Sequence, residues 1–261
     1  VSLRIVVCVK YVPDATGDRH FAEDLTTDRE AVDGLLSELD EYAVEQALRI
    51  AEEADDAEVT VVTVGPEDAT DALRKALSMG ADKGVHVEDD DLHGTDVFGT
   101  SLVLAKAIEK TGYDLVVCGM ASTDGGMGVL PAILAERLGV PQVTLLTELS
   151  VADGKVSGRR DGDAASEQVE AALPAVISVT DRSGEARYPS FKGIMAAKKK
   201  PVETLDLEDL DLEAEQVGLE GAYTKVLSAT ERPARTAGEI VTDEGEGAKL
   251  LAAFLAERKF I

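Results

Sequence analysis

Three short runs of apolar, mostly β-branched residues recur along the chain: Leu3 to Val9, Val59 to Val64 and Leu115 to Cys118. Apart from Arg4, each is apolar or β-branched at consecutive positions, the pattern of a parallel strand buried on both faces. Amphipathic stretches lie between them. Glu41 to Glu53 sets Val44, Ala47, Leu48 and Ala51 on one face, Ala69 to Met79 follows Gly65-Pro66, and Val97 to Lys110 fills the next interval. Strand and helix alternating across short turns predict an α/β fold, doubly wound, around an open and mostly parallel sheet. Gly125 to Gly139 reads as a turn feeding the helix VLPAILAERLG, which glycine stops, with a further strand after Pro141.

From Thr147 to about Thr180 the rhythm shortens around ADGK and RRDGD, which are hairpin turn signals, and ends in the apolar strand AVISVT. Antiparallel edge strands are expected there. Beyond Pro201 the stretch VETLDLEDLDLEAEQVGLEGAYTKVLSATERPARTAGEIVTDEGEG is acidic and too poor in apolar residues for a second core, and one closing helix follows at Ala248 to Arg258. The expected division is therefore 1–200 for the α/β domain and 201–261 for an extended C-terminal arm lying on a partner subunit. A disordered tail is the alternative.

Charge narrows the function. Lysine and arginine number 26 against 51 acidic residues, a net charge of -25 that argues against nucleic acid or an anionic membrane as the main partner. The carboxylates are spread along the chain, as on proteins from salt-loaded cytoplasms, so a halophilic source is expected. Cys8 and Cys118 sit inside apolar runs without metal-ligand spacing and read as reduced, buried thiols; no metal site is implied. No apolar run approaches the roughly 18 residues a spanning helix needs, and the start lacks a signal-peptide plan. A cytoplasmic protein without direct membrane insertion is expected.

The stretch GMASTDGGMGVLP follows the run ending at Cys118 and places Gly119, Gly125, Gly126 and Gly128 around Ser122, Thr123 and Asp124, just before a helix. Backbone N–H groups of such a turn can cradle a phosphate, and Asp124 can accept from a ribose hydroxyl; a plain strand-to-helix turn is an equal reading. His20, His86 and His93 are scattered, and no serine or cysteine has a base nearby in sequence, so no catalytic residues are expected. The other unusual segment is ARYPSFKGIMAAKKKP, Ala186 to Pro201. Pro189 suits a first helical turn, Ser190 a cap, and the lysines oppose the dipole at the helix end. Tyr188, Phe191, Ile194 and Met195 also crowd large apolar groups together, as an anchor docking on another protein does.

These stretches together resemble the β subunit of electron transfer flavoproteins. VVCVKYVPD, DEYAVEQALRI, ALSMGADKGVHV (Ala76 to Val87), AERLGVPQVT (Ala135 to Thr144), RYPSFKGIMAAKKKP and RTAG (Arg235 to Gly238) stand in the family's order and spacing, from Ile5 to about Gly238. The resemblance implies a heterodimer with an α subunit that holds most of a redox-active FAD. Such a heterodimer carries electrons from flavoprotein dehydrogenases toward a quinone oxidoreductase or another acceptor, and the β subunit buries AMP or, in bifurcating members, a second FAD. Carried over by position, the nucleotide pocket comprises Cys8, Ser37, Glu38, Leu39, Asp40, Val64, Gly119, Met120, Ala121, Ser122, Thr123, Asp124, Gly125, Gly126, Met127, Gly128, Val129 and Leu130. The docking loop lies within 187–200 and comprises Arg187, Tyr188, Pro189, Ser190, Phe191, Lys192, Gly193, Ile194 and Met195.

The chain departs from the family at three places. Ser37-Glu38 replaces the usual Asn-Pro, Val129-Leu130-Pro131-Ala132 replaces Gln-Val-Gly-Pro, and Phe191 replaces a leucine anchor. The glutamine contact is therefore absent at Val129, whereas a backbone-made phosphate site survives. Val12 to Asp14 and SFKGIM are similar to the branch with bifurcating and nitrogen-fixation-associated members, which leaves AMP and FAD both open. A free-standing adenine-nucleotide sensor or hydrolase of the doubly wound class is the alternative, and a structural subunit with an empty pocket is the third reading.

Overall fold

Alternate side chains of the first strand, β1 (Leu3–Cys8), point into two different cores: Ile5 and Val7 into one, Val6 and Cys8 into the other. A strand buried on both faces needs helices on both faces, and the chain supplies them. The computed structural model describes residues 2–235, 238 and 240–261. After β1 come β2 (Tyr11–Pro13), β3 (Gly34–Leu36), α1 (Glu38–Glu53), β4 (Ala57–Val64), α2 (Thr70–Met79), β5 (Lys83–Val87), α3 (Val97–Thr111), β6 (Leu115–Gly119) and α4 (Leu130–Leu138). They are followed by β7 (Gln142–Ala152), β8 (Lys155–Asp161), β9 (Ser166–Ala172), β10 (Ala175–Val179), α5 (Phe191–Ala197), β11 (Val202–Leu205), α6 (Gly218–Gly221) and α7 (Gly247–Glu257).

Among the described residues, nine strands form one sheet in the order β11-β5-β4-β1-β6-β10-β7-β8-β9. Neighbours from β11 to β7 run parallel, and β7-β8-β9 form the expected antiparallel edge. Ala43, Val44, Ala47 and Leu48 of α1 pack with Leu73, Ala76 and Leu77 of α2 on one side. Leu104, Ala107 and Ile108 of α3 pack with Leu134 of α4 on the other. The expected doubly wound sheet is thus present. Gly139 ends α4 in the left-handed region at φ 65, where its missing Cβ removes the steric cost.

Three features escape the sequence patterns. The AVISVT strand does not close the antiparallel meander; as β10 it runs parallel between β6 and β7, fully buried. Lys83–Val87 and the acidic Val202–Leu205 pair with each other as β5 and β11 and complete the other edge. Leu205, Leu207, Leu210, Leu212 and Val217 then close the α3 side of the core. The acidic stretch after Pro201 therefore contributes to the first core, since its leucines alternate with carboxylates that stay in solvent.

The chain divides into two compact units, Val1–Leu227 and Ser228–Ile261, so the break falls beyond the expected 200/201. In the second unit α7 buries none of its residues, and Leu250, Leu251 and Phe254 are exposed. Thr236 and Ala237 of the RTAG motif lie outside the described residues. No helix among the described residues is long and apolar enough to cross a membrane.

Candidate functional site

The chain leaves β1 for β4 and β5 on one side and returns as β6 on the other, so the topological switch point lies between β1 and β6. Open α/β sheets hold ligands at the carboxyl ends of the strands at such a point. Cys8 ends β1, Cys118 and Gly119 end β6, and Val64 ends β4. Ser37 to Asp40 enter from the start of α1, and the loop to Leu130 leads into α4. The fold therefore sets the strand-end residues Cys8, Val64 and Gly119, the start of α1 and the root of the loop at the carboxyl end of the sheet's central strands.

Asp40 organises this end. Its carboxylate is buried and accepts the Lys10 amide at 2.9 Å, while the Ser37 amide donates to the Lys10 carbonyl at 2.9 Å. A Cβ on Gly119 would stand 2.5 Å from Asp40 Oδ1 and 2.8 Å from the Leu39 carbonyl, so only glycine lets β6 end this close to α1. Burial pushes Asp40 up to about 7, against the Lys10 amide and ammonium, which favour the ionised form. The native state therefore holds the proton more tightly than the unfolded chain. This contribution to stability is present below the ordinary carboxylate range and is lost as pH rises through about 7. Melting temperatures should fall between pH 5 and 8 in the natural chain, and Asp40→Asn should flatten that slope; a parallel slope in both would refute the assignment.

Cys8 and Cys118 are buried, free thiols beside Asp40, and the hydrogen bond that the Cys118 thiol donates to Cys8, together with burial, pushes Cys118 up, which keeps it protonated and unreactive. Ser37 is buried, and its Oγ has no hydrogen-bond partner among the described residues. An orphan hydroxyl of this kind is a group that a ligand can satisfy.

Asp124 does not offer the free carboxylate expected for a ribose. Its side chain is only 6% exposed and is held by Lys10 Nζ at 2.8 Å and Arg29 at 3.4 Å. Burial acts to raise it, but the Lys10 ammonium and the hydrogen bonds from Lys10, Ser122 and Gly125 prevail and bring it down to about 2. Arg19 donates to the Thr123 carbonyl at 3.0 Å. Gly126 and Gly128 sit at φ 64 and 66. Lys10, Arg19 and Arg29 were not among the residues expected from sequence. Lys10 carries a readable signal, because it stands two residues past a strand end at the switch point; Arg19 and Arg29 lie in a long loop without any.

The docking segment lies apart from this end. The α5 helix begins after Ser190, whose Oγ accepts the Gly193 amide at 3.0 Å, a cap of about 1 kcal/mol in typical helices. Pro189 therefore precedes the cap and lies outside the first turn. Tyr188 and Phe191 are 94% and 81% exposed, and Ile194 and Met195 are about half exposed. With Ala197 its only buried residue, α5 is fastened by polar contacts in place of apolar burial. Arg187 is bound at 2.6 Å by Glu45 and at 2.6 Å by Glu52, both of α1, and it acts as a fastener within the chain. At the other end Arg74 donates to the Ala197 carbonyl at 2.8 Å, and Lys200 donates to carbonyls of Leu77, Gly80 and Ala81 at the end of α2. The lysine run is thus partly structural, with Lys198 and Lys199 left exposed.

Fold and site define a doubly wound α/β domain with a candidate nucleotide loop at its switch point and an exposed apolar segment held on its surface. The model of the electron transfer flavoprotein domain matches residues 24–210. An electron transfer flavoprotein subunit beta of Mycobacterium tuberculosis (strain H37Rv) is 52% identical, covering 98% of this chain and 99% of the relative. The corresponding subunit of Thermoanaerobacterium thermosaccharolyticum is 36% identical over 92% of each chain. The caffeyl-CoA reductase-Etf complex subunit CarD of Acetobacterium woodii is 34% identical, again over 92% of each. The chain belongs to the electron transfer flavoprotein family, as a β-subunit relative, and so to a group of electron carriers rather than enzymes.

Proposed function

We propose that this chain is the β subunit of a heterodimer that carries electrons from flavoprotein dehydrogenases toward a quinone oxidoreductase or another acceptor. A redox-active FAD held mainly by an α subunit supplies the electron chemistry. The β chain holds an adenine nucleotide, AMP or the adenylate half of a second FAD, and presents a docking anchor. The observation that carries this reading is the coexistence, in a chain that aligns with β subunits along 98% of its length, of a switch-point glycine loop and an exposed apolar segment.

The residues present fit a nucleotide. Glycines at 126 and 128 leave room for backbone donors, Lys10 and Arg29 supply positive charge, and Ser37 Oγ lacks a partner among the described residues. The segment 228–261, with α7 and its exposed leucines and phenylalanines, is the natural arm to lie on the α subunit. The acidic surface supports adaptation to concentrated ions.

The test is to co-purify the pair, denature it and count FAD and AMP per heterodimer. One FAD plus one AMP marks a simple carrier, and two FAD a bifurcating one. A colourless preparation without purine would refute the proposal. A chain stable alone that binds ATP or AMP reversibly would favour a nucleotide sensor.

A further inference from the structure

The Lys10 side chain bridges two elements that the sequence separates widely. Its backbone belongs to the turn after β1, tied to Asp40 and Ser37, whereas its ammonium lies 2.8 Å from Asp124 Oδ1 and 3.5 Å from Ser122 Oγ in the glycine loop. A Cβ on Gly125 would lie 3.8 Å from the ammonium, so the charge stands directly against the turn whose amides can hold an anion. Asp124 is nearly buried, but Lys10 is 40% exposed and the second cation on Asp124, Arg29, is 33% exposed. A buried carboxylate that grips two half-exposed cations leaves their remaining N–H donors facing outward. Two cations thus face Asp124, with the buried Asp40 carboxyl beside Lys10, in a chain of net charge -25.

We propose that Lys10, oriented by Asp124, makes this site select a phosphorylated adenosine over the bare nucleoside. The inference rests on the reading of the loop as an adenine-nucleotide site and adds which group reads the phosphate. An ammonium has three donors; Asp124 takes one and the phosphate takes another, with no proton transferred. Asp124 is a positioning residue, because it reaches the phosphate only through Lys10 and Arg29. Adenosine lacks the phosphate and gains nothing from the cation, so the charge acts as a specificity element.

The experiment uses the co-purified heterodimer, freed of bound nucleotide and titrated calorimetrically with AMP and with adenosine. Lys10→Gln keeps a donor for Asp124 and leaves the main-chain bonds to Asp40 and Ser37 in place. AMP affinity should fall about ten- to a hundredfold, the loss of one charged hydrogen bond, with adenosine affinity unchanged. Lys10→Arg should restore most of the AMP preference. An unchanged ratio of AMP to adenosine affinity in Lys10→Gln would overturn the proposal, as would an equal loss for both ligands, which marks a role in shaping the loop. Wild-type protein that takes up neither ligand would instead bring down the nucleotide reading itself.

Discussion

Electron delivery from the partner dehydrogenase should slow about thirtyfold or more in Phe191→Ala, since a central aromatic anchor at a protein interface contributes about 2 kcal/mol or more. The flavin spectrum and the melting temperature should stay those of the natural protein. Both halves follow from the geometry. Phe191 is 81% exposed and opens α5, so truncating it removes little that the folded subunit uses. Its neighbours Tyr188, Ile194 and Met195 are also exposed and, in the proposed docking role, are the surround that excludes water around such an anchor. Arg187, Arg74 and Lys200 hold the segment through α1 and α2, so its presentation survives loss of the phenyl ring. Stopped-flow reduction of the purified heterodimer by its dehydrogenase gives the rate. A rate equal to that of the natural protein would defeat the docking assignment.

Nucleotide should be lost on purification from Gly119→Ala, and the protein should melt several degrees lower. The added methyl would meet Asp40 Oδ1 at 2.5 Å and the Leu39 carbonyl at 2.8 Å, and the second obstacle is main chain that cannot rotate away. Relief requires β6 and α1 to separate, which loosens the Asp40 bond to the Lys10 amide and opens the loop at its root. Overpacking of this kind costs about 1–3 kcal/mol, or roughly 2–4 °C for each kcal/mol in a domain of this size. Gly126→Ala is the internal comparison. It lies in the same loop at φ 64 with nothing within 4 Å of the added methyl, so it carries only the backbone cost of about 1 kcal/mol. Nucleotide content after denaturation and a thermal melt separate the two variants. Retention of nucleotide by Gly119→Ala would show that close approach at the switch point is not what forms the site.

Much of the site was legible because its residues sit where chain geometry is local. The glycines after β6 follow a strand end that the apolar pattern marks, and Ser190 reads as a cap from its own residue type, whereas Ser37 to Asp40 come only from the family resemblance. The partners were not legible. Asp124 reads in sequence as a free acceptor, yet the loop brings it within 2.8 Å of Lys10, 114 residues away, and burial leaves it only 6% exposed. Arg187 reads as part of a docking surface, yet Glu45, 142 residues away, takes its guanidinium. Pairings between distant charges leave no periodic trace, because periodicity records only which face of an element is buried.

The sequence alone determined the layered architecture. Runs of apolar and β-branched residues in β1, β4 and β6 demand cover on both faces, and amphipathic helices of matching length stand between them to provide it. Tertiary structure decided where β10 and β11 insert, and that the leucines of an acidic segment close the α3 core. It also decided which lysines and arginines are spent inside the chain. Strand order and ion pairing depend on which distant segments meet, and composition fixes only what each segment must hide from water.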